Sequence, residues 1–191
     1  MKNSLRFNPK PEWNNYSYGN RYFFGLAGML FDLYNELQNV KEPKMLEIGS
    51  YKGESTMMFA SSGIFKEIHC IDPHEGNEEA NDILQEDWNS IKQEFKTNTR
   101  YFNNITFHKD YSYNVVNKFP DGYFDFIYID GSHKYEDVKR DIQLYLPKTN
   151  NLIGGHDYQK EWPGVVQAVN ELLGQPSKTY SDESFVLKIR R

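Results

Sequence analysis

The clearest indication of the fold lies in residues 45–56, which have the sequence MLEIGSYKGEST. The run begins with apolar residues interrupted by a single acid, Glu47, a pattern that predicts a short buried strand. Gly49 and Gly53 follow, and glycines permit a tight turn and the close approach of a ligand to the backbone. A helix is expected from Glu54 to Ser62. This stretch therefore predicts a strand, a glycine loop and a helix in succession.

The same alternation of strand and helix signals continues on both sides of this stretch. Apolar residues recur at helical spacing from Arg21 to Leu37, which predicts an amphipathic helix before the first strand. Further strands are predicted at residues 67–71, 105–108, 124–129 and 152–155, with a closing strand pair at 178–180 and 184–189. Because strands that alternate with helices pair in parallel through right-handed crossovers, the pattern predicts a doubly wound α/β fold. Its sheet would have seven strands, mostly parallel, with helices on both faces and an antiparallel C-terminal strand.

Composition and charge exclude several classes of protein. The chain has 191 residues, with 22 Lys and Arg against 27 Asp and Glu, so its formal net charge is −5. This acidic balance argues against a nucleic-acid partner, because phosphate binding requires clustered positive charge. The single cysteine, Cys70, excludes an internal disulfide, and no apolar run is long enough to span a membrane. We therefore expect a cytoplasmic protein without a membrane or nucleic-acid partner.

Two segments are expected from the composition along the chain. Residues 1–20 are rich in Asn, Pro, Tyr and Ser and have no helical or strand period. They are predicted to form an N-terminal arm or lid, whose aromatic residues Trp13, Tyr16 and Tyr18 either pack against the body or close a binding site. Residues 21–191 are expected to form one domain, since this length is typical of a single domain.

The residues after each predicted strand are the candidates for ligand binding, because ligands of doubly wound sheets bind at the carboxyl ends of the strands. The glycine loop lacks the middle glycine of the dinucleotide-binding fingerprint. Asp72 follows the second strand and suits hydrogen bonding to ribose hydroxyls. Asp110, Tyr111 and Ser112 follow the third strand and suit the edge and face of a base. Both acids also suit the alternative role of helix caps.

The motifs at the five strand ends support one another when they are taken in order. They are Glu47-x-Gly49-x-x-x-Gly53-x-Ser55-Thr56, Asp72, Asp110-x-Ser112, Tyr128-Ile129-Asp130-Gly131-Ser132-His133-x-Tyr135-Glu136 and Gly154-Gly155-His156-Asp157-Tyr158. This series resembles the motifs of class I S-adenosylmethionine-dependent methyltransferases over about residues 21–190. It is most similar to the metal-dependent, small-molecule O-methyltransferases related to the catechol and macrolide-sugar enzymes. The Asn/Asp-Pro-Pro-Tyr/Phe motif of base-amino methyltransferases is absent.

The resemblance implies a Rossmann-like methyltransferase domain that binds S-adenosylmethionine through its strand-end loops. The residues implied in cofactor binding are Glu47, Gly49, Ser50, Gly53, Ser55, Asp72, Asp110, Tyr111, Ser112 and Asp130. The first loop would hold the methionine part of the cofactor, Asp72 the ribose, and residues 110–112 the adenine. His74, just after the ribose-binding acid, would either touch the cofactor or be solvated.

A divalent cation is the second ligand that the resemblance implies. In metal-dependent relatives the ligands come from positions that correspond to Asp130, His156 and Asp157. Relatives often carry Asp-Asp or Asp-Asn where this chain has His156-Asp157, and an imidazole ligand makes Mn²⁺ as suitable as Mg²⁺. The alternative is that the acids orient substrate or cap loops without a metal.

The proposed base is His133, three residues after Asp130. Relatives place a Lys or His at this position, and an imidazole with an ordinary pKa of about 6.5 suits the removal of a hydroxyl proton. We therefore expect His133 and Asp130 to be catalytic. Trp162, in the loop after the fifth strand, either lines an acceptor pocket or anchors the following helix.

The resulting hypothesis is O-methylation of a hydroxyl on a small molecule, either a sugar or glycan unit or a phenol. The alternatives are an NAD(P)-dependent oxidoreductase on a similar sheet and a noncatalytic module that only binds the cofactor. Because the chain has no large insertion, the acceptor is expected to be small or to be enclosed by a second subunit, which leaves a homo-oligomer open.

Overall fold

The computed structural model describes residues 19–75 and 87–189, and within these ranges seven strands form one sheet. The strands are β1 (Lys44–Ile48), β2 (Glu67–Ile71), β3 (Ile105–His108), β4 (Phe124–Ile129), β5 (Thr149–Gly155), β6 (Lys178–Thr179) and β7 (Phe185–Lys188). Their spatial order is β3-β2-β1-β4-β5-β7-β6. Strands β1 to β5 pair in parallel, whereas β7 pairs antiparallel with both β5 and β6. The predicted doubly wound, mostly parallel, Rossmann-like sheet is therefore confirmed.

Helices connect the parallel strands and cover the sheet. The α-helices of the described residues are α1 (Gly19–Leu37), α2 (Glu54–Ser61), α3 (Trp88–Thr99), α4 (Ser112–Val115), α5 (Tyr135–Tyr145) and α6 (Pro163–Leu172). Helix α1 begins two residues before the predicted start at Arg21. The aromatic residues of the predicted arm, Trp13, Tyr16 and Tyr18, lie outside the described residues.

Each face of the sheet carries its own apolar core. Alternate residues of a strand point to opposite faces, so Phe126 packs with α1 and α2 while Ile127 packs with α5 and α6. Strand β4 is buried on both sides, which explains its nearly continuous apolar sequence. None of the described helices combines the length and the apolar character that a membrane span requires.

Three strands differ from the prediction in their bounds. Strand β7, Phe185–Lys188, is one residue shorter at each end than the predicted 184–189. Strand β5 begins at Thr149, three residues before the predicted start at Leu152, because Thr149 pairs with Phe124 across an irregular register. The intervening asparagines give no strand signal in the sequence. Strand β6 has two residues, Lys178 and Thr179, since its pairing with β7 is confined to that short stretch.

Candidate active site

A cavity of about 720 Å³ opens at the carboxyl ends of the parallel strands. It brings together most of the residues that the sequence singled out. The predicted site residues that line it are Gly49, Ser50, Ser55, Asp72, Asp110, Tyr111, Ser112, Asp130, His133, His156, Asp157 and Trp162. Glu47 and Gly53 do not line it. The side chains predicted to bind cofactor, metal and acceptor therefore share one space.

The glycine loop between β1 and α2 needs its glycines for two physical reasons. Gly49 has a φ of 84°, and a Cβ at this position would overlap the carbonyl group of Asp130 at the end of β4. Gly53 has a φ of 78°, and a Cβ there would lie 2.9 Å from the ring of Phe95. A left-handed backbone with no room for a side chain is available only to glycine.

Asp72, at the end of β2, fixes this loop through its carboxylate. One oxygen, Oδ2, accepts hydrogen bonds from the backbone N–H groups of Ser50 at 2.9 Å and Tyr51 at 2.8 Å. The other, Oδ1, accepts from the N–H of His74 at 2.7 Å. A carboxylate offers about four acceptor positions, so Asp72 retains capacity for a ribose hydroxyl while it holds the loop.

Glu47 lies behind the loop and is fully buried. Its carboxyl group accepts a hydrogen bond from Ser55 Oγ at 2.5 Å and another from Thr56 Oγ1. Burial raises the pKa of Glu47 to about 7. These bonds tie the first turn of α2 to β1. Direct contact between Glu47 and a cofactor stays a prediction, since its carboxyl group faces these hydroxyls.

The loop after β3 forms another wall of the cavity. Asp110 accepts hydrogen bonds from the side chain of Asn114 at 2.7 Å and from the N–H of Tyr111 at 2.8 Å, which lower the pKa of Asp110. Tyr111 stacks on Tyr113 with ring centroids 5.3 Å apart. The N-cap of α4 is Tyr111, without a side-chain cap, so the bonds of Asp110 stay within its own loop and the first turn of the helix. Both Asp110 and Tyr111 line the cavity. Their contact with adenine stays a prediction.

Sequence reasoning missed Asp141, a buried acid on α5 that also lines the cavity. Ser112 Oγ donates a hydrogen bond to its carboxylate, and burial raises the pKa of Asp141 to about 6. The signal in the sequence is the spacing of this acid, which lies three residues after Val138 and four before Tyr145, on the buried face of the helix. Other lining residues that were not singled out as site residues are Lys52, Glu54, Glu75, Trp88, Asp137 and Arg140.

The ends of β4 and β5 bring together the three predicted metal ligands. One ligand atom from each of Asp130, His156 and Asp157 lies within 4.8 Å of the others. His156 Nδ1 is 3.1 Å from Asp157 Oδ2 and 3.9 Å from Asp130 Oδ1. These separations, and a donor set of two carboxylates and an imidazole, fit one divalent cation.

His133 joins this cluster from the loop after β4. Its Nε2 lies 2.9 Å from Asp157 Oδ2, and its ring stacks on Trp162 with the centroids 3.9 Å apart and the planes at 16°. The carboxylate and the indole therefore hold the imidazole from two directions. Both roles predicted for Trp162 are compatible with this position, because the residue lines the cavity and directly precedes α6.

Burial and charge act in opposite directions within the cluster. Burial raises the pKa of Asp130 to about 6, although the neighbouring imidazole of His156 opposes the shift. Burial alone would lower the pKa of His156, but Asp130 and Asp157 outweigh it and raise that pKa to about 9. Hydrogen bonds from His133 and His156 outweigh burial at Asp157 and hold its pKa below the ordinary value. The favoured state is thus an ionised Asp157 between two imidazoles.

Comparison with known proteins supports a methyltransferase. Residues 46–158 match the family described as Methyltransferase domain. An uncharacterised protein of Acanthamoeba polyphaga mimivirus is 31% identical over 163 residues, which cover 75% of this chain and 66% of that protein.

Two solved structures show the same fold at low sequence identity. CalS11, a TDP-rhamnose 3'-O-methyltransferase of calicheamicin biosynthesis, is similar with a TM-score of 0.56 and 15% identity, over 93% of this chain and 89% of that one. An O-methyltransferase of Bacillus cereus in complex with SAH is similar with a TM-score of 0.56 and 16% identity, over 85% and 81% of the two chains.

The family match includes the ends of all five parallel strands, because it runs from β1 to the residue after Asp157. The resemblance to class I S-adenosylmethionine-dependent methyltransferases is thus confirmed, and it favours methyl transfer over the oxidoreductase alternative. The chain belongs to the methyltransferase-domain family.

Proposed function

We propose that the protein transfers the methyl group of S-adenosylmethionine to a hydroxyl oxygen of a small-molecule acceptor. The observation that carries this proposal is the shared cavity. The glycine loop, Asp72 and Tyr111 line one part of it, and the cluster of Asp130, His133, His156 and Asp157 lines another. A methyl donor held by the loops and a hydroxyl held by the cluster would therefore meet in one cavity, and holding the two reactants in a reactive geometry is the main requirement of methyl transfer.

The cofactor end of the cavity fits S-adenosylmethionine in its chemistry. Ser50 is buried and lines the cavity, and its Oγ has no hydrogen-bond partner among residues 19–75 and 87–189. A buried hydroxyl without a partner costs free energy, so this group is suited to a polar ligand. The first N–H groups of α2 lie beside it and suit the cofactor carboxylate. When bound, S-adenosylmethionine supplies a methyl group on a positively charged sulfur.

We assign to His133 the removal of the proton from the acceptor hydroxyl. Asp157 and Trp162 fix its ring, and the negative charge of Asp157 stabilises the imidazolium that forms. Asp130 adds a second negative charge on the same side. The chain thus removes the proton and orients the oxygen, while no covalent bond forms between protein and substrate.

Asp130, His156 and Asp157 would hold a divalent cation, either Mn²⁺ or Mg²⁺. The fit rests on their spacing and on their donor set, as described above. When bound, the cation supplies a Lewis acid that stabilises negative charge on the acceptor oxygen. The protein residues position the acceptor hydroxyl between this site and His133.

We propose a sugar or glycan hydroxyl as the first acceptor class and a phenol as the second. The similarity of the fold to a TDP-rhamnose 3'-O-methyltransferase supports this order. The described part of the chain has no large insertion between its strands and helices, which favours a small acceptor or one that a second subunit helps to enclose.

The test is a screen of methyl incorporation from labelled S-adenosylmethionine into sugars, nucleotide sugars, glycans and phenols. Each arm is run with Mg²⁺, with Mn²⁺ and with EDTA. We expect label in a hydroxyl-bearing acceptor, and a loss of at least about 100-fold for His133→Ala with unchanged SAH binding. SAH binding without label in any arm would favour the noncatalytic alternative, and full activity in EDTA would exclude the cation.

A further inference from the structure

His74 is a buried histidine next to the cofactor end of the cavity. It is 2% exposed and does not line the cavity. Its Nε2 lies 2.9 Å from the backbone carbonyl oxygen of Tyr51 in the glycine loop. A carbonyl oxygen only accepts hydrogen bonds, so the proton is on Nε2 and His74 donates. The contact joins the segment after β2 to the loop after β1.

The carbonyl that His74 holds belongs to a strained residue. Tyr51 has a φ of 42°, in the left-handed region that residues with a side chain rarely adopt. Its N–H donates to Asp72 Oδ2 at 2.8 Å, while its carbonyl accepts from His74. The N–H of His74 in turn donates to Asp72 Oδ1 at 2.7 Å. Both backbone polar groups of Tyr51 are therefore held by two linked residues, and such over-determination is what maintains a strained conformation.

Aromatic packing fixes the imidazole from β3 and α3. The ring stacks on Phe107 with centroids 4.8 Å apart, and Phe95 meets it edge to face at 5.3 Å. The ring of Phe95 also lies only 2.9 Å from the position that a Cβ of Gly53 would occupy, so the same aromatic cluster packs against both ends of the loop. The imidazole is thus a rigid donor in a dry environment, where a hydrogen bond is stronger than in water.

We infer that His74 is a positioning residue that holds the glycine loop in the conformation that binds S-adenosylmethionine, without touching the cofactor. The inference rests on the proposed use of this loop for the cofactor. By fixing the Tyr51 peptide, His74 pre-organises the adjacent Ser50 hydroxyl and the start of α2, and pre-organisation increases affinity by lowering the ordering cost of binding.

Two substitutions separate the hydrogen bond from the packing. His74→Phe keeps a ring between Phe95 and Phe107 but removes the donor, whereas His74→Gln keeps a donor at the same distance along the side chain. In both variants position 74 keeps a residue other than glycine in a left-handed conformation, so the conformational cost of this backbone is the same for the two. By calorimetry we expect SAH to bind His74→Phe roughly tenfold more weakly than wild type, and His74→Gln within about threefold.

His69→Phe is the matched control. His69 is also a buried histidine among aromatic rings, and it bonds to His108 at 2.8 Å and Glu67 at 2.5 Å rather than to the loop. We expect a lower unfolding temperature for this variant and unchanged SAH affinity. If His74→Phe does not fold, His74→Asn replaces it with the same expectation, since its amide is too short to reach Tyr51.

The outcomes distinguish this inference from the proposed function. If the wild-type protein does not bind SAH, the cofactor assignment fails and the role of His74 fails with it. If wild type binds and His74→Phe binds equally well, only the role of His74 is overturned. Equal weakening in His74→Phe and His74→Gln would also overturn it, because packing rather than the donated hydrogen bond would then be responsible.

Discussion

The two ends of the cavity are built from different parts of the chain. At the cofactor end, the backbone supplies much of the surface, and buried side chains such as Asp72 and His74 hold the glycine loop from behind. At the other end, the surface consists of ionisable side chains, in which Asp157 lies between two histidines. The first arrangement favours a fixed shape, whereas the second concentrates charge where a proton must move.

The same contrast is visible in two carboxyl groups. Burial raises the pKa of Glu47 to about 7, so this group at the cofactor end keeps its proton up to about pH 7. At Asp157, hydrogen bonds from His133 and His156 outweigh burial and keep the pKa below the ordinary value. An acid that supports a loop can remain neutral, but one that supports a base must remain ionised. The predictions below test each side of this comparison.

The largest effect is expected at the charged end, from Asp157→Asn. The amide lacks the negative charge that orients His133 and stabilises its protonated form, so turnover on the acceptor found by the labelling screen should fall by about 100- to 10,000-fold. SAH affinity should stay within about threefold of wild type, because the cofactor loops are unchanged. The measurement is steady-state kinetics together with calorimetry.

Asp121→Asn is the control for this variant. Asp121 is largely exposed and pairs with Lys148 at 2.7 Å, and it does not line the cavity. An exposed ion pair contributes little to stability, so neither turnover nor affinity should change. A loss of less than about tenfold in Asp157→Asn would contradict a catalytic role for the cluster.

Gly49→Ala should produce the second largest effect, now at the cofactor end. The added methyl group would overlap the Asp130 carbonyl at a left-handed φ, so we expect a loss of about 3 kcal/mol or more in the free energy of unfolding and no detectable SAH binding. Gly63→Ala is the matched control, because its φ is 70° but, apart from its chain neighbours, no atom of the described residues lies within 4 Å of the new Cβ. This control should lose about 1 kcal/mol in the free energy of unfolding and bind SAH with the affinity of wild type. Similar losses in both variants would show that close packing does not explain Gly49.

Glu47 should make the stability of the protein depend on pH. Its pKa in the folded state, about 7, lies above the ordinary value of 4.5, so the folded state binds the proton more tightly than the unfolded state. The stabilisation that comes from this tighter proton binding is therefore complete below pH 4.5. As the pH rises to about 7, the free energy of unfolding falls by about 3 kcal/mol. Urea unfolding of wild type and Glu47→Gln between pH 4.5 and 8 measures this pH dependence. The stability of the variant relative to wild type should increase as the pH rises. Parallel curves for the two proteins would rule out a protonated Glu47.

The sheet was predictable from the sequence because each parallel strand is a short apolar run that ends at a turn residue or an acid. The cluster at the ends of β4 and β5 was predictable for the same reason, since Asp130 follows directly on β4 and Asp157 lies two residues after the end of β5. The bonds that fix the glycine loop were not predictable, because they join side chains after β2 to backbone groups of the loop after β1, as in the 22-residue separation of Ser50 and Asp72. A sequence indicates which side chains reach a strand end, but it does not indicate which are already occupied by backbone N–H groups. For this reason the loop-holding role of His74 became visible only in the structure.

The smallest effect is expected within the cofactor end, from a comparison of variants at two acids, Asp72 and Asp110. In Asp72→Asn the amide N–H₂ would face backbone donors that the carboxylate now accepts, so the loop would lose charge-assisted hydrogen bonds and SAH should bind about tenfold more weakly. In Asp110→Asn the side chain is only partly buried and its bonds reach no further than Tyr111 and Asn114, so the loss should be threefold or less. Calorimetry on both variants decides between them. If Asp110→Asn were the weaker binder, adenine recognition through Asp110 would matter more than the loop that Asp72 holds. Cofactor affinity would then depend on direct contact with a side chain rather than on a backbone loop fixed by buried side chains.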